Sequence, residues 1–273
     1  MAARASLDSW LVEPGRSSAL SSVDPESTPE APGGKNETGR AAEVLNAELA
    51  SLQERLWADA RRSMLVVLQA MDAGGKDGTI KKVFTGVNPQ GVEVTSFKVP
   101  SDEERAHDFL WRVHKRTPAL GRIGIFNRSH YEDVLVVRVH GKVSKQECRK
   151  RYAMINDFER MLVDNGTTIV KLMLHISFDE QGERMRRRLE QPNKRWKFRK
   201  GDLEERARWA DYQRAYEDAI KATSTAEAPW YVVPANHKWY RDWAVLQILA
   251  ETLRTLDPQF PEPIEDLAGL VVQ

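Results

Sequence analysis

The stretch that most constrains this chain runs from Met64 to Thr79. A mainly apolar segment, Met64-Leu65-Val66-Val67-Leu68-Gln69-Ala70-Met71, breaks into Asp72-Ala73-Gly74-Gly75-Lys76-Asp77-Gly78-Thr79 and then into helix-compatible residues. A short apolar run bounded by glycines is the pattern of a strand buried on both faces, so the segment reads as strand, loop, helix. Glycines 74, 75 and 78 let the backbone approach a polyanion, successive N–H groups can form an inward-pointing nest, and a helix starting near Gly78 presents its positive end there. Lys76 adds the point charge that phosphate binding uses. Against the template G-x-x-x-x-G-K-[ST], Gly75 and Lys76 match, while Ala70 replaces the first glycine and Asp77 the magnesium-binding hydroxyl. The competing reading is an ordinary glycine-rich turn with a surface lysine. The buried-strand pattern in front and the acid inside the loop favour phosphate.

Bulk charge names no partner, because 41 basic residues face 40 acidic ones in 273. Their distribution says more: basic residues concentrate between Arg184 and Arg208, whereas acids are spread. The single Cys148 excludes an intramolecular disulfide framework and any multi-cysteine metal site. No segment approaches the roughly 18 apolar residues of a membrane span, and the N-terminus lacks the apolar core of a secretion signal. The expectation is a cytoplasmic protein with no membrane partner.

Residues 1–40, rich in Ser, Pro, Gly and Glu, predict a flexible arm that only Trp10-Leu11-Val12 could anchor, ahead of one domain over 41–273. Leu45, Leu49, Leu52 and Leu56 give a helix its inner stripe. After the glycine loop, helix is expected over 79–87, ended by Asn88-Pro89-Gln90-Gly91, then strand over 92–99. Ser101 to Glu104 has the form of a capping box and opens a helix through Trp111 to Lys115. A strand at 122–126 runs into the polar cluster Asn127-Arg128-Ser129-His130-Tyr131-Glu132-Asp133, which as a strand end should face the ligand crevice of a parallel sheet. Further on come a helix carrying Tyr152, Ile155, Phe158 and Leu162, a strand over 167–176, and a helix opened by Ser177 and Glu180. The basic segment at about 183–205 has too few aliphatic residues to be core and reads as a lid over anions. A helix over 202–222, a strand over 230–234 and a helix over 237–256 close the chain. Alternating strands and helices predict a single three-layer α/β domain with a mainly parallel, five-stranded sheet.

In this order the motifs resemble those of the polyphosphate kinase 2 family: Met71 to Gly78, Phe126 to Val136, and the Pro192 to Phe198 lid followed by Ala228-Pro229-Trp230. The resemblance covers roughly residues 40–255. It implies a P-loop kinase fold similar to thymidylate kinase, and reversible phosphoryl transfer between inorganic polyphosphate and nucleotides with magnesium, manganese being an alternative. The second motif resembles the class III branch, which implies AMP and ADP as acceptors, with ATP as the final product; the apolar, Trp-rich helices allow a homo-oligomer, dimer or tetramer, which the family resemblance also implies. By the same resemblance Asp72 matches the loop acid that holds the metal, Lys76 the loop lysine, Arg128 the strand-end arginine, and Arg188 the lid arginine within a crowded arginine run. Asn127 stands where many members carry Asp; as a weaker ligand it leaves room for Glu132 or Asp133 as a second acid, or for substrate oxygens, to complete the metal site.

On this expectation polyphosphate runs along Lys81, Lys82, Arg184, Arg187, Arg188 and Lys194, its end held by the loop glycines and Lys76. The nucleotide enters beside Asn127, Arg128, Glu132 and Asp133. A lone His130 is more often structural than catalytic. Trp196 stacks an adenine or packs the lid, the latter being favoured, and Asp133 holds Arg128 or caps a helix. Two rivals remain: an ATP-dependent nucleoside monophosphate kinase on the same fold, and an RNA-binding regulator, against which the loop acid argues; no nucleic-acid partner is expected.

Overall fold

Strand β2 (Ser63–Ala70) is buried along its whole length because both its faces are covered. Val66, Met64 and Leu68 face a layer formed by α1 (Lys35–Asp59) and α10 (Lys238–Leu256), while Leu65 and Val67 face α6 (Lys145–Asp164) and α9 (Trp209–Thr223). Each such side chain contributes about 1.5–3 kcal/mol on burial, which explains the near-continuous apolar run. The computed structural model describes residues 7–263 and 265.

Parallel to β2 lie β4 (Ile123–Asn127) on one side and β5 (Thr167–His175) on the other, with β3 (Val92–Ser96) beyond β4 and β6 (Trp230–Pro234) beyond β5. A short β1 (Leu11–Val12) adds antiparallel to β6, giving the order β1-β6-β5-β2-β4-β3. The sheet is therefore mainly parallel as expected, but six-stranded. The chain passes from β2 to β3 and β4 on one side and then crosses to β5 and β6 on the other, so the strand order reverses at β2 and the crevice opens at its C-terminal end, where the glycine loop lies.

The sixth strand comes from the segment expected to be a free arm, and that expectation is corrected from Leu7 onward. Trp10 is 1% exposed and donates its indole N–H to Tyr240 Oη at 2.8 Å. The Leu20 and Ser21 N–H groups both donate to Glu217 Oε1 at 2.9 Å, and Tyr240 Oη donates to the Pro29 carbonyl. Few apolar residues were available to signal packing, yet Trp10, Val12, Ala19 and Leu20 are all buried. Helix α1 then starts at Lys35, where the Glu37 carboxylate accepts from Gly34 N–H.

Helix α2 (Lys76–Val83) begins two residues before Gly78, because Gly75 at φ +106° makes the turn into it. The single helix expected over 101–115 is two, α3 (Asp102–Arg105) and α4 (Trp111–His114); Asp108 Oδ1 accepts from Leu110 and Trp111 N–H and restarts the second. Short α5 (Val136–Val139) precedes α6. The lid comprises the C-terminal half of α7 (Phe178–Glu190), a 3-10 turn at Pro192–Lys197, and α8 (Gly201–Ala207). Among the described residues no helix is long and apolar enough to cross a membrane.

Candidate active site

The loop after β2 closes with Gly74 N–H donating to the Met71 carbonyl. A side chain at Gly74 would meet Ala70 Cβ at 2.5 Å, so the glycine the template wants at position 70 is compensated by one at 74. A Cβ at Gly75 would lie 2.1 Å from Arg241 Nη1. Lys76 donates from Nζ to the Ala70 carbonyl at 2.8 Å, which leaves two ammonium protons for a ligand. Burial, then neighbouring Arg128, draws its pKa below the usual lysine value against the pull of Asp72, Glu132 and Asp77.

Arg128, at the end of β4, crosses to the loop: Nη2 donates to Asp72 Oδ1 at 3.1 Å, and Nη1 lies 3.9 Å from Glu132 Oε2. Its backbone is left-handed, φ +64°, a strained conformation of the kind that collects at functional sites. Burial raises the pKa of Glu132, with Arg128 and Lys76 opposing. Gln69 sets its amide between Ser129 Oγ and Glu132 Oε1, 3.1 Å from each. Asn127 Nδ2 donates to Asp77 Oδ1 at 2.8 Å, and Lys197 of the lid reaches Asp77 Oδ2 at 3.3 Å. Asp72, Lys76, Asn127, Arg128 and Glu132 thus converge, and the lid tip touches the same loop.

Other expected residues stand elsewhere. Arg184 is 6% exposed, with Nε on Glu180, Nη1 on the Ala73 and Gly74 carbonyls and Nη2 on those of Ala235 and Asn236. All five of its donors are used, so it clamps the loop and has none left for polyphosphate. Arg187 lies 3.5 Å from Glu180 Oε2 and is half exposed; Arg188 has no ion pair or side-chain hydrogen bond among the described residues. Lys81, Lys82 and Lys194 are exposed, and Gly78 lies in the first turn of α2, near Arg241. Asp133 neither holds Arg128 nor caps a helix: it sits 3.5 Å from Arg112 Nη2, and its carbonyl accepts from Arg151. His130 is fully buried beside Glu159, consistent with a structural role. Trp196 is 76% exposed and touches the lid only locally, its indole N–H on the Asn193 carbonyl at 3.1 Å and the Lys197 ammonium 5.0 Å from its ring, so it is not buried as lid packing.

A sequence profile of the Polyphosphate kinase 2 (PPK2) family matches residues 34–261. The chain belongs to the polyphosphate kinase 2 family. It is 56% identical over 264 residues to the AMP/ADP-polyphosphate phosphotransferase of Meiothermus ruber, covering 97% of this chain and 99% of that one. The ADP-polyphosphate phosphotransferase of Rhodopseudomonas palustris is 47% identical over 78% of each chain. The crystal structure of Polyphosphate Kinase 2 from Arthrobacter aurescens TC1 matches with a TM-score of 0.94 at 48% identity, covering 97% of this chain and 95% of that one. The P-loop kinase fold follows.

For a polyphosphate kinase 2 protein the donor set has to suit a divalent cation. Among the described residues no three His, Cys, Asp or Glu side chains group into a metal cage. A phosphate-bound divalent cation needs none, since it takes one or two carboxylates and completes its shell with phosphate oxygens and water. Asp72, with the Asn127 amide oxygen not engaged by Asp77 and Glu132 alongside, supplies hard oxygen donors at the loop mouth.

Two cationic residues beside the loop were missed in the sequence, both in the first turn of α10: Lys238, which is exposed, and Arg241, which is 3% exposed, packs against Gly75 and donates from Nε and Nη2 to Asp242. Burial, then Arg184, Arg187 and Arg241, depresses the Lys238 pKa, so these charges share one side of the glycine loop. The strand-end rule that marked residues 127–133 applies equally after β6, and would have found them. Tyr212 and Tyr216 of α9 line the Arg128 side, where Glu132 and Asp72 help raise both phenols after burial.

Proposed function

We infer that the protein transfers phosphoryl groups reversibly between inorganic polyphosphate and AMP or ADP, yielding ADP and ATP, with magnesium. The observation that carries this is the set of cations gathered at the glycine loop: Arg128 on Asp72, the lid's Lys197 on Asp77, and Arg187 with Lys238 beside the clamp Arg184. The Meiothermus ruber relative, named as an AMP/ADP-polyphosphate phosphotransferase, supports the same substrates and acceptors.

Phosphoryl transfer needs in-line positioning and neutralisation of charge more than covalent chemistry. The loop N–H groups and Lys76 hold the terminal phosphoryl group of the donor. Arg128, whose fork matches phosphate oxygens and stays protonated, orients the acceptor phosphate. Glu132 and Asp72 fix that fork until the acceptor arrives. Asp72 would hold a magnesium ion, which when bound would supply neutralisation of the developing charge, and manganese, another oxygen-binding cation, would substitute. A nucleotide phosphate is already anionic and nucleophilic at neutral pH, so no side chain is needed as general base. Arg188, which is half-buried, and the exposed Lys194, Lys81 and Lys82 carry the rest of the chain of phosphates.

Purified protein mixed with AMP, magnesium and polyphosphate, without added ATP, should form ADP and then ATP. Product that appears only when ATP is supplied would instead mark an ATP-dependent monophosphate kinase. We place the reaction in the cytoplasm, where its nucleotides are found, and expect a dimer or tetramer, which light scattering on the purified protein measures.

A further inference from the structure

Lys171 is the middle residue of β5, in register with Val67 of β2 and Trp230 of β6, and it is fully buried. Lysine at the centre of a parallel sheet is costly to desolvate unless every donor is met. Here all three are: Nζ donates to Glu159 Oε2 at 2.5 Å, to the Thr223 carbonyl at 2.5 Å and to Tyr131 Oη at 3.1 Å. The rings of Tyr131 and Trp230 lie over the same ammonium at 5.7 and 5.5 Å. Glu159, 1% exposed on α6, receives the Tyr131 hydroxyl on Oε1 at 2.9 Å, with His130 Nε2 3.3 Å from the same oxygen.

These contacts converge on His130 and Tyr131, the pair that sits between Arg128 and Glu132 in the chain. Above them, Ser129 Oγ accepts from Tyr131 N–H at 3.2 Å and meets Gln69. The turn from Ser129 to Asp133 is thus pinned from beneath by an ion pair and from the side by β2. That matters because Arg128 holds a left-handed backbone, which persists only where surrounding contacts over-determine it. A buried ion pair is a poor source of stability, since apolar replacements of similar volume are often neutral or stabilising; its retention points toward specificity of structure.

We propose that the buried Lys171–Glu159 pair is a positioning device for the acceptor side of the site, fixing the 129–133 turn so that Arg128 and Glu132 stay in register with Asp72. The proposal rests on the functional reading above, in which Arg128 receives the nucleotide phosphate. Neither Lys171 nor Glu159 touches substrate; both act through Tyr131 and His130.

The test neutralises the pair without opening a cavity, in the double variant Lys171→Met/Glu159→Gln. We expect its melting temperature to stay at or above that of the parent, while kcat with AMP falls about tenfold to a hundredfold, the loss expected for a displacement of about 1 Å. The KM for polyphosphate should stay within about twofold. Tyr131→Phe removes only the hydroxyl linking the pair to the turn, and should show the same split to a smaller extent in a fully folded protein. Wild-type kinetics in Tyr131→Phe, or activity in the double variant that falls only in proportion to its folded fraction, would overturn the proposal. AMP binding by calorimetry separates this from the functional reading: weaker binding in the variants supports positioning even if the parent transfers nothing from polyphosphate. Unchanged AMP affinity together with unchanged turnover refutes it.

Discussion

At the scale of single residues, the glycine loop concentrates charges whose states depend on one another. Lys76 is drawn below its ordinary pKa by burial and by Arg128, so its ammonium deprotonates earlier on the alkaline side than a free lysine near 10.4. On the proposed reading the charge on Lys76 grips phosphate, so kcat/KM for polyphosphate should fall as pH rises through that lowered value. Bound phosphate returns the proton, and the limb in kcat should lie at higher pH. Lys76→Arg, which stays protonated, should remove the alkaline limb from the pH profile. Asp72→Asn and Lys76→Met should each cut turnover by about a hundredfold or more while leaving the thermal transition in place, because in the proposed mechanism both act on developing charge. Arg184 differs in kind. Arg184→Met would leave the Ala73, Gly74, Ala235 and Asn236 carbonyls without their common donor, and should lower unfolding stability by about 3 kcal/mol in denaturant titrations.

At the scale of elements, the loop belongs to several segments at once. Helix α7 supplies Arg184 to its carbonyls and Gln181, which donates to the Asp72 carbonyl at 2.9 Å. The lid beyond it swings a second contact, Lys197, onto Asp77. Asp77 occupies the place of the template hydroxyl and holds both lid and β4 end through carboxylate oxygens, so Asp77→Asn should make the Lys194–Arg199 segment more susceptible to limited proteolysis. Arg188 has no partner to lose among the described residues. Arg188→Ala should therefore leave the melting temperature unchanged and raise the polyphosphate KM about tenfold to a hundredfold, the worth of one charge-assisted hydrogen bond. An unchanged KM would shift that role to Arg187 or Lys238.

At the scale of the whole molecule, the N-terminal strap and the C-terminal helix close one face of the sheet together. Trp10, edge-on to Trp243 at 5.8 Å and hydrogen-bonded to Tyr240, is a long-range tie; Trp10→Ala should cost about 3–5 kcal/mol by denaturant unfolding. Under the strap His175 is held neutral, its pKa lowered to about 4 by burial despite Glu217, the Val23 carbonyl and Asp24. The unfolded chain takes up this proton near pH 6.5 and the folded one only near 4. Stability is therefore full above 6.5 and falls between 6.5 and 4 by about 3 kcal/mol, a slope that His175→Gln should flatten.

The local pattern of residues determined much of this protein by itself. The buried strand, the glycine turn and the capped helices follow from period and turn chemistry, and the rule that ligands gather at strand ends puts residues 127–133 at the crevice, while the choice of Asp72 and Arg128 within it came from the resemblance to the family's motifs. Tertiary structure alone decided which charges are free. Arg184 and Arg188 lie four residues apart on one helix, yet one is spent on backbone carbonyls and the other makes no ion pair or side-chain hydrogen bond among the described residues, because the packed loop brings those carbonyls within reach of Arg184 alone. Lys171 and the strap were hidden for the same reason. A lysine inside an apolar strand, or four scattered apolar residues in a polar arm, acquires meaning only when partners distant in sequence close over it, and pairings across such distances leave no local periodicity to read.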